Sequence, residues 1–376
     1  MIAANMLYLR DLWRRHRRKV LVTAGVVGSG YLLYKLYYAH KRRLTDLERE
    51  LARERENDEF IKAQMQAHFE NIQRIADTTT LPHAIHYLSC RIDDDLNLSH
   101  LTNRLMKGKD QPSSLSSSEK LVLWERLKIL SFTRMVVSIW AVTILSLYIR
   151  VQVNILGRHL YIDTVHGLGS SHLLEEADLI DRDDQQKFLA SADFLANHGL
   201  PKLISGIQTA ATEVLKAKQL RDFFNTAILH QTIMQILDMF LSTGSPHHWV
   251  DCLMPEDPRL HKLAKTSSSD KTNPPELTQF DQLMVETREV ISSAEFSNVV
   301  ELSLKAVAKA LVEKGFRSGG GSLTNGMPLA RLLPRLAQIC PTLVEEPSKN
   351  QFIQIIPSVP EVGLFFTLLY SSMSAS

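Results

Sequence analysis

The sequence predicts an all-α protein, a large elongated helical bundle with an N-terminal transmembrane anchor. Three observations carry that prediction. Apolar residues recur at three- and four-residue spacing along most of the chain, whereas strand-like alternation is limited to Val151, Val153 and Ile155, whose flanks read as helical. Helix-breaking residues gather in a few connectors rather than spreading through the pattern. At the amino end, the basic cluster Arg10, Arg14, Arg15, Arg17, Arg18 and Lys19 leads into an uncharged, mostly apolar run from Val20 to Tyr34. The 376 residues suffice for one large domain or two smaller ones, and 44% hydrophobic against 22% charged residues excludes wholesale disorder. The three cysteines, Cys90, Cys252 and Cys340, are far apart and odd in number, which argues against a disulfide scaffold and fits a reducing compartment.

The charge is uneven. Residues 1–56 hold 13 Lys/Arg against 6 Asp/Glu, a local excess of +7, so within a total of +2 the rest of the chain is acidic by 5. Most of the molecule therefore lacks the composition of a nucleic-acid binder, and no nucleic acid is expected as a partner.

Residues 1–19 read as a basic amino-terminal segment and 20–38 as a transmembrane helix. Those 19 residues span roughly 28 Å as a helix, close to the hydrocarbon thickness of a bilayer. Gly25 and Gly28 suit a membrane helix better than a water-exposed one. Tyr31, Tyr34, Tyr37 and Tyr38 crowd one end, where amphipathic rings favour the interface, and Lys35 at that end can run its stem along the helix towards the headgroups. Val20, Gly25, Gly28, Tyr34 and Lys35 are the candidate anchor residues. A cleaved targeting segment and a soluble helix are the rival readings; against cleavage, bulky and basic residues stand where a signal peptide would have small ones. Both flanks are basic, so charge alone leaves the orientation open.

Residues 41–376 form the expected helical domain, with flexible connectors near 107–118, 242–276 and 317–326. Leu44, Leu47, Leu51, Phe60, Ile61, Met65, Phe69 and Ile72 mark a long helix from 41 to about 75. Leu81 to Leu105 continues in helical spacing, with a break near Asp93–Asp95. Ser116 and Glu119 have capping-box spacing and start a helix carrying Leu121, Leu123, Trp124 and Leu127. Met135 to Ile149, bounded by Arg134 and Arg150, is apolar or weakly polar throughout. Fifteen residues are short for a second span, so a helix buried on all sides is expected. Gly157 and Gly167–Gly169 interrupt the pattern. Helices follow over 183–198, 200–218, 219–241, 277–290 and 294–314, and the patterns at 329–340 and 359–371 are broken by Pro334, Pro341, Pro347 and Pro357.

Motifs for chemistry are sparse. Walker, Rossmann, Cys-x-x-Cys and His-Glu-x-x-His spacings are all missing, and Gly319-Gly320-Gly321-Ser322 has no lysine to complete a phosphate loop. No cofactor or metal is expected; His247, His248 and Cys252 lack a second ligand pair and read as a solvent-facing turn. His83 with His86, and His159 near Asp163, form acid/base pairs only on paper. Asn97-Leu98-Ser99 matches a glycosylation sequon, relevant only in a secretory lumen. Trp124 has two readings from pattern alone, a core residue or the lip of an exposed groove. Lys120 and Lys128 flank the same face or its edge and read either as charges for an acidic partner or as the ordinary solvated charge of a helix.

Three segments together resemble the peroxin-3 family: the basic cluster before the glycine-containing apolar run, Lys120-Leu121-Val122-Leu123-Trp124-Glu125-Arg126-Leu127-Lys128-Ile129-Leu130-Ser131-Phe132-Thr133-Arg134, and Arg150-Val151-Gln152-Val153-Asn154-Ile155-Leu156-Gly157-Arg158. The resemblance weakens after about residue 240. It implies a non-enzymatic docking receptor of the peroxisomal membrane, single-pass, with the bulk of the chain cytosolic and a transient passage through the endoplasmic reticulum. The implied partners are the amphipathic amino-terminal helix of the chaperone peroxin-19, membrane lipids and, indirectly, peroxisomal membrane-protein cargo. Residue by residue, Trp124 matches the family's partner-binding tryptophan, Lys120 a lysine at the groove edge, and Leu105 an apolar groove residue across a longer connector; Leu127 joins them on the leucine-rich floor. The alternative from another class is a membrane-tethered helical enzyme with a lipid-like substrate, built on the 135–149 segment with His159 and Asp163.

Overall fold

A helix that is apolar on every side has to be enclosed by other elements or by lipid, and this fold is organised around one that is enclosed. The computed structural model describes residues 2–110, 116–169, 181–245, 247–255, 278–316 and 323–371, with backbone alone at 2–28, 30, 32–33, 58, 61, 106–110, 161–169 and 324. Among the described residues the α-helices are α1 (Ile2–Ile75), α2 (Leu81–Asp95), α3 (Ser99–Asp110), α4 (Ser117–Gly169), α5 (Arg182–Ala190), α6 (Leu200–Leu215), α7 (Thr226–Ser242), α8 (Gln279–Ile291), α9 (Ala294–Ala310), α10 (Leu329–Leu343) and α11 (Pro360–Ser371). A two-residue antiparallel pairing, β1 (Phe223–Phe224) with β2 (Met327–Pro328), sets Phe223 opposite Pro328 and Phe224 opposite Met327. The all-helical expectation and most helix positions agree with this order.

The chain divides into two units, Met1–His68 and Phe69–Ser376. The first contains only α1, and the described side chains on it are nearly all exposed, including Tyr34, Lys35, Leu44, Leu47 and Leu51. The second is built on α4. Helices α2, α3 and α5 to α11 all pack against α4, and Met135, Val136, Ile139, Trp140, Ile144, Tyr148 and Ile149 are inaccessible to solvent. The Trp140 ring meets Phe240 and Trp249 edge-on, at centroid separations of 5.7 and 6.2 Å, the geometry favoured by aromatic quadrupoles. Two weakly polar residues in this helix return their hydroxyls to its own backbone: Thr143 donates to the Ile139 carbonyl and Ser146 to Val142, each at 2.7 Å.

The two arginines that bound the apolar stretch fix α4 against α2. Arg134 pairs with Asp93 near the end of α2, and Arg150 pairs at 2.7 Å with Asp77 in the π-helical turn Ala76–Thr80 just before it. Both intervals are sixteen residues, about 24 Å of helix at 1.5 Å per residue. Two antiparallel helices are thereby clasped at both ends. Closer to the head of α4, Lys128 is buried and its ammonium donates to the carbonyls of Leu215 at 3.2 Å and Lys218 at 2.7 Å, while pairing with Glu125 at 2.6 Å. It thus satisfies acceptors left open at the end of α6 and complements that helix's dipole. The expectation that Lys128 faces a partner is corrected: it is a fold-internal cap.

The expected bundle with an N-terminal transmembrane anchor is also corrected. Among the described residues, the helix long and apolar enough to cross a membrane is Ser117–Leu160, not one at the amino end, and its apolar window is wholly buried inside the fold. Read by composition, 135–149 is a short run between arginines, but the helix around it carries further buried apolar residues on both sides, Leu123, Leu127 and Phe132 before it and Val151, Val153 and Ile155 after it, while the 20–38 stretch carries Lys35 and three glycines. Of the candidate anchor residues, Tyr34 and Lys35 are exposed on α1, and the side chains of Val20, Gly25 and Gly28 lie outside the described residues.

Other differences have local causes. Residues 219–225 form a turn and β1 rather than helix, because the Gln219 N–H donates to Asp222 Oδ2 and Asn225 caps α7 by accepting from the Ile228 N–H at 2.8 Å. Gly157 does not break α4: it admits Ile72, whose Cδ1 would lie 2.2 Å from an added Cβ. Helix α10 runs through Pro334 and Pro341 because both face outward while Leu329, Leu332, Leu333, Leu336 and Leu343 are buried; burial of that stripe outweighs the lost backbone bonds. The turn at His248–Cys252 is not solvent-facing, since Trp249, Val250 and Cys252 are buried and burial pushes the Cys252 thiol up to about 11. Of the three expected connectors, 111–115, 256–277 and 317–322 lie outside the described residues.

Two glycines give a matched test of this packing. A Cβ on Gly199 would sit 1.9 Å from the Cys252 carbonyl oxygen, whereas one on Gly363 meets nothing within 4 Å. Gly199→Ala is expected to destabilise by about 1–3 kcal/mol through overpacking of backbone. Gly363→Ala in α11 should stabilise by about 0.5–1 kcal/mol through helix propensity. Urea unfolding midpoints of the two variants should shift in opposite directions.

Candidate docking site

The site begins with a helix start legible in the sequence. The Ser116 N–H donates to Glu119 Oε2 at 2.8 Å and the Glu119 N–H donates to Ser116 Oγ at 3.2 Å, the reciprocal bonds of a capping box. Before it, Asn97 Oδ1 accepts from the Ser99 N–H at 2.8 Å and so opens α3. The sequon asparagine is a turn residue in this fold. Helices α3 and α4 pack together and run antiparallel: Arg134 donates to the Leu96 carbonyl at one end, and Arg104 lies within electrostatic reach of Glu119 at the other.

That hairpin brings Leu105 on α3 to the same end as Lys120 and Trp124 on α4. All three are partly exposed. Leu123 and Leu127 are buried beneath them, while Leu121 and Val122 stand 59% and 66% exposed. One helical turn therefore presents two bare aliphatic side chains beside a tryptophan whose neighbours on the inner face are locked in the core. Four residues on, Lys128 sets the rotation of this segment through its bonds to Leu215 and Lys218. The arrangement has the physical character of an anchor surface, apolar at its centre and basic at its edge. Leu127 belongs to its foundation.

The rival chemistry does not assemble. His159 Nε2 lies 2.9 Å from Glu286 Oε2 on α8, and Arg158, itself buried, pairs with the same carboxylate. The Asp163 side chain lies outside the described residues. His159 thus belongs to an ion cluster joining α4 to α8. Among the described residues no group of three or more His, Cys, Asp or Glu could hold a metal. A cavity of about 610 Å³ opens elsewhere, lined by Lys314, Arg335, Ile339, Thr342, Lys349 and Phe352 among others.

The model of one family, Peroxin-3, matches residues 96–372, a span that covers the candidate docking surface and the whole of α4. The chain belongs to the peroxin-3 family. It is similar to Peroxisome biogenesis protein 3-2 of Arabidopsis thaliana, 60% identical over 368 residues that cover 97% of this chain and 99% of that protein. It is 61% identical to Peroxisome biogenesis protein 3-1 of the same plant over 365 residues, covering 97% and 99%. It is 29% identical to Peroxisomal biogenesis factor 3 of Homo sapiens over 395 residues, covering 97% and 98%. As a member of the peroxin-3 family the chain is a docking protein of the peroxisomal membrane, and it serves protein transport and peroxisome biogenesis.

Sequence reasoning missed the acidic partners Asp77, Asp93 and Glu286 and the inward role of Lys128. The equal intervals 77–93 and 134–150 were the signal available for the first two. The Glu286 cluster also sets a pH dependence. Burial pushes the Glu286 carboxyl up, but hydrogen bonds from His159 and Arg158 outweigh it, so its pKa lies below the ordinary 4.5. A carboxylate held lower in the folded state adds stability above its unfolded value and loses it as pH falls through the folded one. Glu286→Gln should therefore be less stable than the parent near neutral pH, with the difference shrinking below pH 4.5; chemical unfolding at both pH values measures it.

Proposed function

We propose that the head of α4 receives the amphipathic amino-terminal helix of peroxin-19, which delivers peroxisomal membrane proteins from the cytosol. The observation that carries this reading is the exposure of Leu121 and Val122 beside the half-buried Trp124. An amphipathic helix presents apolar side chains at i, i+3, i+4 and i+7, which need a partner surface of this kind to leave water. Leu105 supplies the opposing wall from α3, Leu127 the support under Trp124, and Lys120 a charge at the edge that steers an acidic partner. Because Trp124 rests on a fixed inner face, little conformational freedom is left for binding to remove, which favours affinity.

Docking restricts the chaperone and its cargo to the membrane surface, where the cargo meets lipid. The step is one of binding and release, with no bond made or broken in the receptor. Trp124→Ala should weaken binding of a peroxin-19 amino-terminal peptide by about 2 kcal/mol or more, roughly thirtyfold in Kd, with the far-ultraviolet spectrum unchanged. Calorimetric titration measures it. Equal affinity in a folded variant would remove Trp124 from the site.

A further inference from the structure

The first unit offers a second surface. Leu44, Leu47 and Leu51 on α1 are each about half exposed, and Tyr37 one heptad before Leu44 more so. Their spacing is that of a coiled-coil seam: with Leu44 at position a, Leu47 falls at d and Leu51 at the next a. In that register Arg43 and Glu50 take the two g positions, and Glu48 and Arg55 the e positions that follow them. A second helix laid parallel and in register therefore brings Arg43 against Glu48 of the other copy and Glu50 against Arg55, each pair opposite in charge. None of these four residues forms an ion pair in its own helix, whereas Arg49 and Asp46, at the outward positions f and c, pair with each other at 3.8 Å. The intrahelical ion pair on this stretch faces away from the seam, and the charges flanking the seam are left to a partner.

From this register we propose that two copies of the chain associate through a short parallel coiled coil over Tyr37–Arg55 of α1. The parallel sense is the one that sets Arg43 against Glu48 and Glu50 against Arg55 of the other copy. The seam covers little more than two heptads, about 28 Å of helix, which is short for a coiled coil in free solution. Confinement to a bilayer raises the effective concentration of the second helix and makes so short a seam sufficient. The proposal is independent of the docking surface on α4.

The test uses the full chain in liposomes with Cys90→Ser, because Cys90 is the exposed cysteine and the other two are buried. Single Leu44→Cys and Leu51→Cys variants should form same-residue disulfide dimers under mild oxidation at least tenfold faster than Arg49→Cys, which points away from the seam. In the Leu51→Cys background, Arg43→Glu should slow cross-linking several-fold, and adding Glu48→Arg should restore it. Apart from the exposed Cys90 in the shared background, all the altered side chains are exposed on α1 in the first unit, so differences between the variants do not come from folding of the second unit. Equal rates at positions 44, 49 and 51, dimers only between unlike positions, or failure of the charge-swapped pair to recover would each overturn the proposal.

Discussion

The clasp of Arg134 on Asp93 and Arg150 on Asp77 is the constraint on which the rest of the fold depends. Between those arginines α4 is apolar enough to belong in lipid, and water tolerates it only if other helices cover every side. An arginine at each end of such a stretch is costly to bury unless its charge is met. Asp77 and Asp93 meet both charges from one flanking helix and its lead-in turn, and their spacing admits a single sliding position of α2 along α4. The apolar interior supplies the driving force and has no register of its own; the ion pairs select the register.

Rotation of α4 is fixed by a different device. Lys128 lies six residues before Arg134 and places its ammonium on open carbonyls at the end of α6. Turning the helix by one residue would carry that charge into the leucines beneath or out to solvent, and would leave the Leu215 and Lys218 acceptors unmet. With translation and rotation both set, the surface exposed one turn earlier follows: Leu123 and Leu127 inward, Leu121 and Val122 outward, Trp124 between. The site is the part of the core helix that extends past its cover, and it needs no cavity of its own.

Much of this was legible beforehand. The Ser116–Glu119 box, the break after Asp95 and the burial of 135–149 follow from local spacing, and the tryptophan stood out for its setting between leucines. What was not legible depends on partners distant in sequence. Lys128 looks like an ordinary exposed cation on an amphipathic helix, because nothing near it announces a helix end nearly ninety residues on. Gly157 looks like a stop until Ile72 is seen to need its space. Pro334 looks like a stop until its outward face is known. The amino-terminal run and α4 compete on composition, and what composition does not report is that α4 is enclosed by the other helices of its unit.

On the proposed reading one helix serves both stability and recognition, and the two demands fall on different residues. Charges at 134, 150 and 158 are met inside the fold and act on any partner only by keeping α4 in place. Side chains at 120, 121, 122 and 124 are left partly bare by that placement and contribute little to holding it. A surface so arranged is ordered before its partner arrives, because its backbone is a continuation of the core helix and not a loop. That separation explains how a stretch of helix with half-exposed apolar side chains persists in a stable protein: the energy that would be gained by burying them internally is forgone, and the clasped core beneath is sufficient without it.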